Sequence, residues 1–279
     1  MNIKNIRRYF SFKFLLYILG RFKIVRYLYK LKNKISSKYK KIEKNYENHI
    51  EINFNKNDII RKIEVNSFYD GLKLKKETID KIINLSKKSD LITTTDNTKF
   101  NTFDEINEFN RDNDKPYCLI NVVNPELKVL INRISRNKYL LDIANNYLGK
   151  VNNIDTKVQW SPVCNTSDDW REHNEQTVTF HYDVHHLNFL YVFFYLTDCN
   201  KDSGAHELIK GSHTNKKFFK HLIGSVKQTS SSLELDYGIK KFIKLEGNAG
   251  YGFIEDTSCY HRARIPINNS RLALQIRYY

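Results

Sequence analysis

The chain has 279 residues, of which 41% are hydrophobic and 13% aromatic, with only 10 glycines and 4 prolines. This composition suffices for a substantial hydrophobic core and excludes a disordered or linker-rich chain. The formal net charge of +15 would by itself suggest an anionic partner such as nucleic acid or a membrane surface.

Most of that charge lies at the N-terminus. The first 50 residues contain ten Lys, four Arg and two Glu, a formal charge of +12. Ile24, Leu28 and Leu31 recur at helical spacing, which predicts basic amphipathic helices over residues 1–48. The pattern fits two interpretations equally, a peripheral anchor on an anionic membrane surface and a helical cap packed on the domain that follows.

Residues 49–279 are predicted to form one domain that begins with helices. We expect a turn at Asp70-Gly71, a helix from about Lys75 and helical structure over residues 125–148. Pro125 lies near the start of that last segment, where a helix tolerates proline.

After residue 149 the pattern changes to short runs rich in aromatic and branched residues. The predicted strands are Lys157–Val163, Thr177–Phe180, Phe189–Thr197, His206–Ile209, Phe242–Leu245, Gly252–Glu255 and Leu272–Tyr278. Helices followed by many short strands predict a mainly β fold with flanking helices, whose core is a double-stranded β-helix of the jelly-roll, cupin-like kind.

The four cysteines are widely spaced and form no CxxC pair, which excludes a zinc ribbon or a redox motif of that type. A chain with an adequate core does not need disulfides. We therefore expect Cys118, Cys164, Cys199 and Cys259 to be reduced thiols and the protein to be cytoplasmic, or peripheral to a membrane.

A candidate metal site begins in the segment TFHYDVHH, where His181 and Asp183 are two residues apart. Residues i and i+2 of an extended strand face the same side, so an imidazole and a carboxylate can reach one metal ion. His261 is the candidate for a third ligand from a distant strand. Two histidines and one carboxylate on one face of the ion form the ligand set of non-haem Fe(II) oxygenases.

His-x-Asp by itself is weak evidence, and two alternatives stay open on spacing alone. His173 and Glu175 repeat the same spacing with Glu as the carboxylate. His185 has the same strand parity as His181 and Asp183, so it also could be a ligand.

Four segments in a fixed order resemble the phytanoyl-CoA dioxygenase-like family of Fe(II)- and 2-oxoglutarate-dependent dioxygenases. They are FHYDVHHLNFLYVFFYLTD from Phe180, DSGAHELIKGSH from Asp202, GNAGYGFIEDTSCYHR from Gly247 and RLALQIRYY from Arg271. The resemblance covers about 100 residues of the C-terminal half, is loose over the helices and does not reach the first 50 residues.

The resemblance implies that His181, Asp183 and His261 bind Fe(II). It also implies that Arg271 pairs with the distal carboxylate of the cosubstrate 2-oxoglutarate, for which the planar guanidinium is suited. The expected reaction uses O₂ to hydroxylate a C–H bond of a small-molecule or lipid-linked substrate and releases succinate and CO₂. Retention of the Asp183 carboxylate favours hydroxylation over halogenation.

Other residues near these segments have supporting roles in this interpretation. Gln159 and His185 are candidates for the substrate pocket, and Asp256 is a candidate for holding the segment before His261. Arg264 and Arg277 lie close to Arg271 in sequence and are its rivals for the cosubstrate.

Three other functions remain as alternatives. A catalytically silent domain could retain the fold and act as a binding protein, although an intact set of His181, Asp183, His261 and Arg271 argues against it. The basic arm could bind nucleic acid, but no base-reading motif accompanies it and no specific nucleic acid is predicted. A cupin-like zinc hydrolase would use the same ligands without 2-oxoglutarate.

Overall fold

The computed structural model describes residues 18–36, 48–51, 55–164, 166, 179–217, 220 and 227–279. These residues form seven helices and a short 3₁₀ turn at Ile239–Lys241. The helices are α1 Lys23–Ser36, α2 Lys56–Asn66, α3 Lys76–Ser86, α4 Phe103–Asp112, α5 Pro125–Ser135, α6 Lys138–Leu148 and α7 Ser230–Tyr237.

Twelve strands alternate with and follow the helices within the described residues. They are β1 Ile50–Glu51, β2 Phe68–Leu74, β3 Asp90–Thr93, β4 Lys99–Phe100, β5 Ile120–Val123, β6 Ile154–Ser161, β7 Leu190–Tyr195, β8 His206–Ile209, β9 Phe242–Leu245, β10 Tyr251–Glu255, β11 His261–Ala263 and β12 Arg271–Tyr278. Among the strands predicted after residue 149, His206–Ile209 and Phe242–Leu245 have the predicted bounds and four others are present with shifted ends. The predicted strand Thr177–Phe180 lies largely outside the described residues.

The strands form two antiparallel sheets. The large sheet has nine strands in the order β1-β2-β10-β7-β12-β6-β5-β3-β4, and the small sheet has three in the order β11-β8-β9. The predicted fold class, mainly β with flanking helices and a cupin-like core of two sheets, is confirmed. Hydrogen bonding among the described strands leaves the two sheets separate and does not close them into a barrel.

The outer face of the large sheet carries the main hydrophobic core. Strand β12 shows why, because Leu272, Leu274 and Ile276 share one face of the strand and all three are buried in this core. Helices α2, α3, α5 and α6 supply the other side of the layer with their apolar stripes. The inner face of the large sheet meets the small sheet through a second core that includes Tyr195, Leu208 and Phe253.

The helical segment predicted over residues 125–148 is two helices. Asn124 accepts a hydrogen bond from the amide of Leu127 and caps α5, in which Pro125 occupies the first turn. Asn137 accepts from the amide of Tyr139 and caps α6, so the chain restarts a helix there and does not continue the first one.

The turn predicted at Asp70-Gly71 is wrong, since both residues lie inside β2. The register between β2 and β10 passes from Leu72 opposite Gly252 to Asp70 opposite Phe253, which leaves Gly71 as the extra residue of a β-bulge. Gly71 has φ of +111°, a value that glycine adopts readily, so the residue type that suggested a turn serves a bulge instead.

One face of helix α1 packs on the domain. Arg26 forms a buried ion pair with Asp256, with 2.8 Å between Nη2 and Oδ2, and its guanidinium also contacts Asn188. Helix α1 also lies close to Gly149, where an added Cβ would come within 2.4 Å of the Lys30 carbonyl oxygen. Residues 37–47 lie outside the described part of the chain, so a boundary between arm and domain near residue 48 stays a prediction.

The opposite face of α1 is apolar and open to solvent. Ile24, Leu28 and Ile35 are 69%, 59% and 87% exposed, and Tyr27 and Leu31 extend the same stripe. No helix within the described residues is long and apolar enough to cross a membrane.

Substitution of Arg26 tests the attachment of α1. In Arg26→Met the buried carboxylate of Asp256 loses its cation, and the free energy of unfolding should fall by about 3 kcal/mol. The matched control is Lys56→Met, which removes the exposed ion pair with Asp142 and should cost less than about 1 kcal/mol. Urea titration followed by circular dichroism measures both, and equal losses in the two variants would contradict a buried pair.

The same pair should give a defined pH dependence. Burial raises the pKa of Asp256, but the charges of Arg26 and His213 and hydrogen bonds from Ser258 and Tyr147 lower it further, so the net shift is downward. A carboxylate whose pKa is lower in the folded protein stabilises the fold above its unfolded-state pKa of about 4. That stabilisation is lost as the pH falls from this value through the lower folded-state pKa. The stability difference between wild type and Arg26→Met should therefore shrink below about pH 4 in acid titrations.

Candidate metal centre

Backbone pairing brings two distant histidines together. The His181 amide donates to the His261 carbonyl at 3.0 Å, and the His261 amide donates back to the His181 carbonyl at 2.8 Å. Residues that exchange both hydrogen bonds lie directly opposite each other in an antiparallel pair, with their side chains on the same face. The two imidazole rings accordingly lie with centroids 4.4 Å apart.

Asp183 joins this pair from two residues along the chain. Its amide donates to the Thr257 carbonyl at 2.8 Å, which places the carboxylate beside the rings. One ligand atom from each of His181, Asp183 and His261 lies within 4.8 Å of the others, and His261 Nε2 is 3.8 Å from Asp183 Oδ2. The structure thus brings together the three residues that the sequence singled out as ligands.

The ring orientation of both histidines is set by backbone carbonyls. His181 Nδ1 lies 3.0 Å from the Thr179 carbonyl oxygen, and His261 Nδ1 lies 3.1 Å from the Cys259 carbonyl oxygen. A carbonyl oxygen only accepts, so each Nδ1 carries the proton and each Nε2 presents a lone pair. Such hydrogen bonds are the usual means by which proteins orient histidine ligands.

The protonation states also suit metal binding. Burial, together with the neighbouring His261 ring, lowers the pKa of His181 to about 4, so that its imidazole is neutral at neutral pH. Burial opposes ionisation of Asp183, but a hydrogen bond from His185 and the charges of His261 and His185 bring its pKa below the ordinary value. Neutral imidazoles and an ionised carboxylate are the forms that bind a metal.

His185 is close to the cluster but is not part of it. Its Nε2 lies 3.3 Å from Asp183 Oδ2, and its side chain is 42% exposed. It therefore orients the carboxylate from the open side. The alternative pair His173 and Glu175 lies outside the described residues.

Asp256 anchors the loop over residues 256–260 that leads into His261. Its carboxylate accepts from Tyr147 and Arg26, and it also accepts from the Ser258 amide at 3.0 Å. Arg26 contacts the Ser258 hydroxyl as well. Asp256 thus connects the loop before His261 to Tyr147 and to helix α1.

A half-buried lysine contacts the same loop from another side. Lys216 donates to the carbonyl oxygens of Ser212 and Ser258 and lies over the rings of Tyr182 and Tyr260. Its surroundings lower the pKa of Lys216 to about 7. Arg26 and Lys216 therefore both bind residues of the loop that leads into His261.

A cavity of about 540 Å³ opens onto the cluster. One wall consists of inward-facing residues of β6, β7 and β12, and the other includes His206 and Ala263 of the small sheet. Arg271, Ala273, Gln275 and Arg277 all line it, as the alternation of β12 predicts.

Arg271 lies at the inner end of this wall. Its side chain is 9% exposed, and it donates to the Gly204 carbonyl and, at 3.1 Å, to the Ser161 hydroxyl. No carboxylate of the described residues lies within ion-pair distance of it. Its two rivals are both paired, Arg264 with Glu207 and Arg277 with Asp155.

Gln159 also lines the cavity, but its amide is engaged by neighbours. Its Nε2 donates to Asn121 at 3.1 Å, and its Oε1 accepts from Lys157 at 3.2 Å and from Gln275 at 3.5 Å. Gln159 therefore orients other polar groups of the wall. Lys157 also lines the cavity, and its ammonium has donors that Gln159 does not use.

A buried acid–base pair beside His261 was not predicted from the sequence. His206 Nε2 lies 2.7 Å from Glu255 Oε2, both side chains are buried, and the His206 ring stacks on His261 with centroids 5.4 Å apart. The sequence offered one indication of His206, which lies two residues before Leu208 on β8 and therefore shares its inward face. Glu255 carried no signal, since it occupies an otherwise apolar position of β10.

Glu255, Cys259 and His261 form a second group whose ligand atoms lie close together. The chemistry disfavours a metal there, because the nitrogen of His261 that faces Glu255 is the protonated Nδ1. Burial and the Glu255 charge raise the pKa of the Cys259 thiol well above its usual value, and that thiol donates to Glu255 at 3.1 Å. The group is a hydrogen-bonded cluster. All four cysteines are buried, and none forms a disulfide within the described residues.

Comparisons with known proteins support the fold. The structure is similar to that of SnoN, a non-haem alpha-ketoglutarate-dependent epimerase from nogalamycin biosynthesis, with TM-score 0.53, 12% identity and coverage of 80% of this chain and 82% of that one. It is similar to EvdO2 from Micromonospora carbonacea var. aurantiaca, solved with 2-oxoglutarate, with TM-score 0.50, 12% identity and coverage of 79% and 89%. No protein-family model and no curated protein matches the sequence.

Metal binding by variants distinguishes the two clusters. His181→Ala, Asp183→Ala and His261→Ala should each weaken Mn(II) or Co(II) binding by more than about 100-fold, the upper range for losing a residue that only supports a ligand. Cys259→Ala should retain one metal ion per chain. Equilibrium dialysis with elemental analysis measures both, and loss of metal in Cys259→Ala but not in His181→Ala would place the ion at the other cluster.

Proposed function

We propose that this protein is an Fe(II)- and 2-oxoglutarate-dependent dioxygenase that hydroxylates a C–H bond of a small molecule. The observation that carries the proposal is the convergence of His181 Nε2, His261 Nε2 and the Asp183 carboxylate at one end of a cavity. Two histidines and one carboxylate suit Fe(II) and leave positions for a cosubstrate and O₂. The fold shared with SnoN and EvdO2 supports this choice over a zinc hydrolase.

Each residue of the site has a role in this proposal. Fe(II) with 2-oxoglutarate and O₂ would supply the oxidising power, with release of succinate and CO₂. His181, Asp183 and His261 would hold the metal, and His185 would orient Asp183. Asp256 would keep the loop before His261 in place.

Arg271 is assigned to the distal carboxylate of 2-oxoglutarate. It is buried, lines the cavity and has no carboxylate partner among the described residues. A buried guanidinium without an anion is costly, and a carboxylate would complete it through two parallel hydrogen bonds. Ala273, the next inward residue of β12, leaves space beside it.

Hydroxylation and the phytanoyl-CoA dioxygenase-like grouping rest on the sequence. The four ordered segments support the grouping, and the carboxylate of Asp183 occupies the position that a halide would need. One structural neighbour is an epimerase, which shows that the fold also serves reactions other than hydroxylation, so hydroxylation of the substrate is itself part of the proposal.

The visible spectrum under anaerobic conditions tests the proposal first. Fe(II) followed by 2-oxoglutarate should produce a weak charge-transfer band that needs both additions. His261→Ala should abolish the band, and Arg271→Ala should raise the 2-oxoglutarate concentration needed by about tenfold or more, the effect of losing a charged hydrogen-bond partner.

The control for this experiment is His186→Ala, which changes a histidine of the same segment that does not line the cavity. It should leave the band unchanged. A folded, metal-loaded wild type that shows no band would overturn the dioxygenase proposal and favour a catalytically silent binding domain.

We further propose that residues 1–48 attach the protein peripherally to an anionic membrane surface. The exposed apolar stripe of α1 favours this, because it runs beside Lys23, Lys32 and Lys34 while the other face of the helix is packed on the domain. An amphipathic helix of this kind binds through its apolar face and its cationic residues together.

Vesicle co-sedimentation tests the membrane proposal. The wild type should bind phosphatidylserine-containing vesicles at low salt, bind phosphatidylcholine vesicles weakly, and lose binding as salt screens the charges. Leu28→Glu should weaken binding because it places a carboxylate in the exposed stripe, whereas Val65→Glu, at an exposed position of α2, should not. Equal binding by the two variants would contradict the proposed surface.

A further inference from the structure

The cavity wall contains cations at two separate depths. In the register of β12 with β6, Arg271 lies opposite Ser161, Gln275 opposite Lys157, and Arg277 opposite Asp155. Arg271 and the Gln275–Lys157 pair are four residues apart along β12, which corresponds to about 14 Å. The guanidinium of Arg271 is held by Gly204 and Ser161, whereas the ammonium of Lys157 is held by Gln159, so the site has a second cationic position.

Lys157 is the unneutralised cation of that outer position. Its ammonium donates to the amide oxygen of Gln159 at 3.2 Å, and no carboxylate of the described residues lies within ion-pair distance. Arg277, in contrast, pairs with Asp155 and contacts the Tyr191 hydroxyl. An ammonium has three donors, so Lys157 retains donors for a ligand.

The charges of the wall lead to the same residue. Its charged side chains are three cations, Lys157, Arg271 and Arg277, and two carboxylates, Asp155 and Asp183. Asp155 neutralises Arg277, Asp183 is assigned to the metal, and Arg271 is assigned to the cosubstrate. A divalent metal and the dianion of 2-oxoglutarate cancel each other, so the loaded site would keep one excess positive charge at Lys157.

Lys157 lies near a second cation. Surrounding protein atoms lower the pKa of Lys157, repulsion by Arg277 lowers it further, and attraction by Asp183 offsets part of the shift. The Lys157 side chain is exposed to solvent where it lines the cavity, so a ligand can reach it. An anion between Lys157 and Arg277 would stabilise both cations.

We infer that Lys157, supported by Arg277, binds an oxyanionic group of the substrate, a carboxylate or a phosphate ester. The inference rests on the proposed function, because it takes the metal and Arg271 as already engaged. Tyr191 and Phe193 stack with ring centroids 5.6 Å apart beside this position and present an apolar wall. The cavity of about 540 Å³ must also hold the cosubstrate. The substrate class is accordingly a compact organic acid or phosphate ester with an apolar portion.

Paramagnetic relaxation measures this binding without turnover. The full chain is loaded with Mn(II) and saturating 2-oxoglutarate, and NMR follows the relaxation of ³¹P in inorganic phosphate and of the methyl protons in acetate. At least one of these probes should show saturable relaxation. In Lys157→Met its apparent affinity should fall by about tenfold, as expected for loss of a charged hydrogen-bond partner.

Two further variants separate this effect from misfolding. Lys157→Arg keeps the charge and should retain most of the probe affinity, and Lys244→Met, at an exposed position of β9 outside the cavity, should match the wild type. The 2-oxoglutarate affinity of Lys157→Met, measured by the charge-transfer band with Fe(II), should stay within about twofold of wild type, since the residue it needs is Arg271.

The outcomes distinguish the two proposals. Absence of saturable relaxation for both probes, or equal relaxation in wild type and Lys157→Met, would overturn the inference while a normal charge-transfer band leaves the dioxygenase proposal standing. Loss of 2-oxoglutarate binding in Lys157→Met would also overturn it, because Lys157 would then hold the cosubstrate.

Discussion

Two reciprocal backbone hydrogen bonds, between His181 and His261, determine the rest of the site. These residues are 80 positions apart in the chain, and only antiparallel pairing places their side chains on one face at contact distance. Once they are paired, Asp183 arrives beside them because it follows His181 by two residues. The open side of the cluster then faces the cavity between the two sheets.

The loop before His261 is held by one ion pair and several hydrogen bonds. Asp256 is held by Arg26 and Tyr147, while Lys216 binds the backbone of Ser258 from the other side. Arg26 belongs to α1, so the N-terminal helix is physically connected to the segment that carries a metal ligand. The same helix exposes its apolar stripe on the opposite face. Arg26 therefore connects the proposed membrane-binding helix with the loop that leads into His261.

Strand β12 serves stability and the site at once. Leu272, Leu274 and Ile276 anchor the large sheet to the covering helices, and Arg271 and Arg277 line the cavity. A slip of one residue in register would exchange the two faces, burying charges in the apolar layer. Burial of the apolar face therefore fixes which face of β12 carries Arg271. The register of β12 with β6 then fixes where Lys157 lies relative to Arg271.

The sequence by itself determined the features that depend on local spacing. Short runs of aromatic and branched residues predicted most strands after residue 149, the His-x-Asp spacing predicted two candidate ligands, and the ordered segments indicated His261 as the third. The short strands over residues 68–123 were not predicted, because pairs such as β3 with β5 join runs of only four residues whose partners are distant. Gly71 was misassigned for a related reason, since a positive φ serves a turn and a bulge alike.

Only the tertiary structure decided which charges neutralise one another. The family resemblance favoured Arg271 but left Arg264 and Arg277 as rivals. The structure separates them, because Glu207 and Asp155 pair with the two rivals and Arg271 is buried without a carboxylate partner among the described residues. The His206–Glu255 pair likewise forms only because β8 and β10 lie against each other. Electrostatic interactions act through space over a few ångströms, and residues far apart in the chain become neighbours only when the sheets have formed.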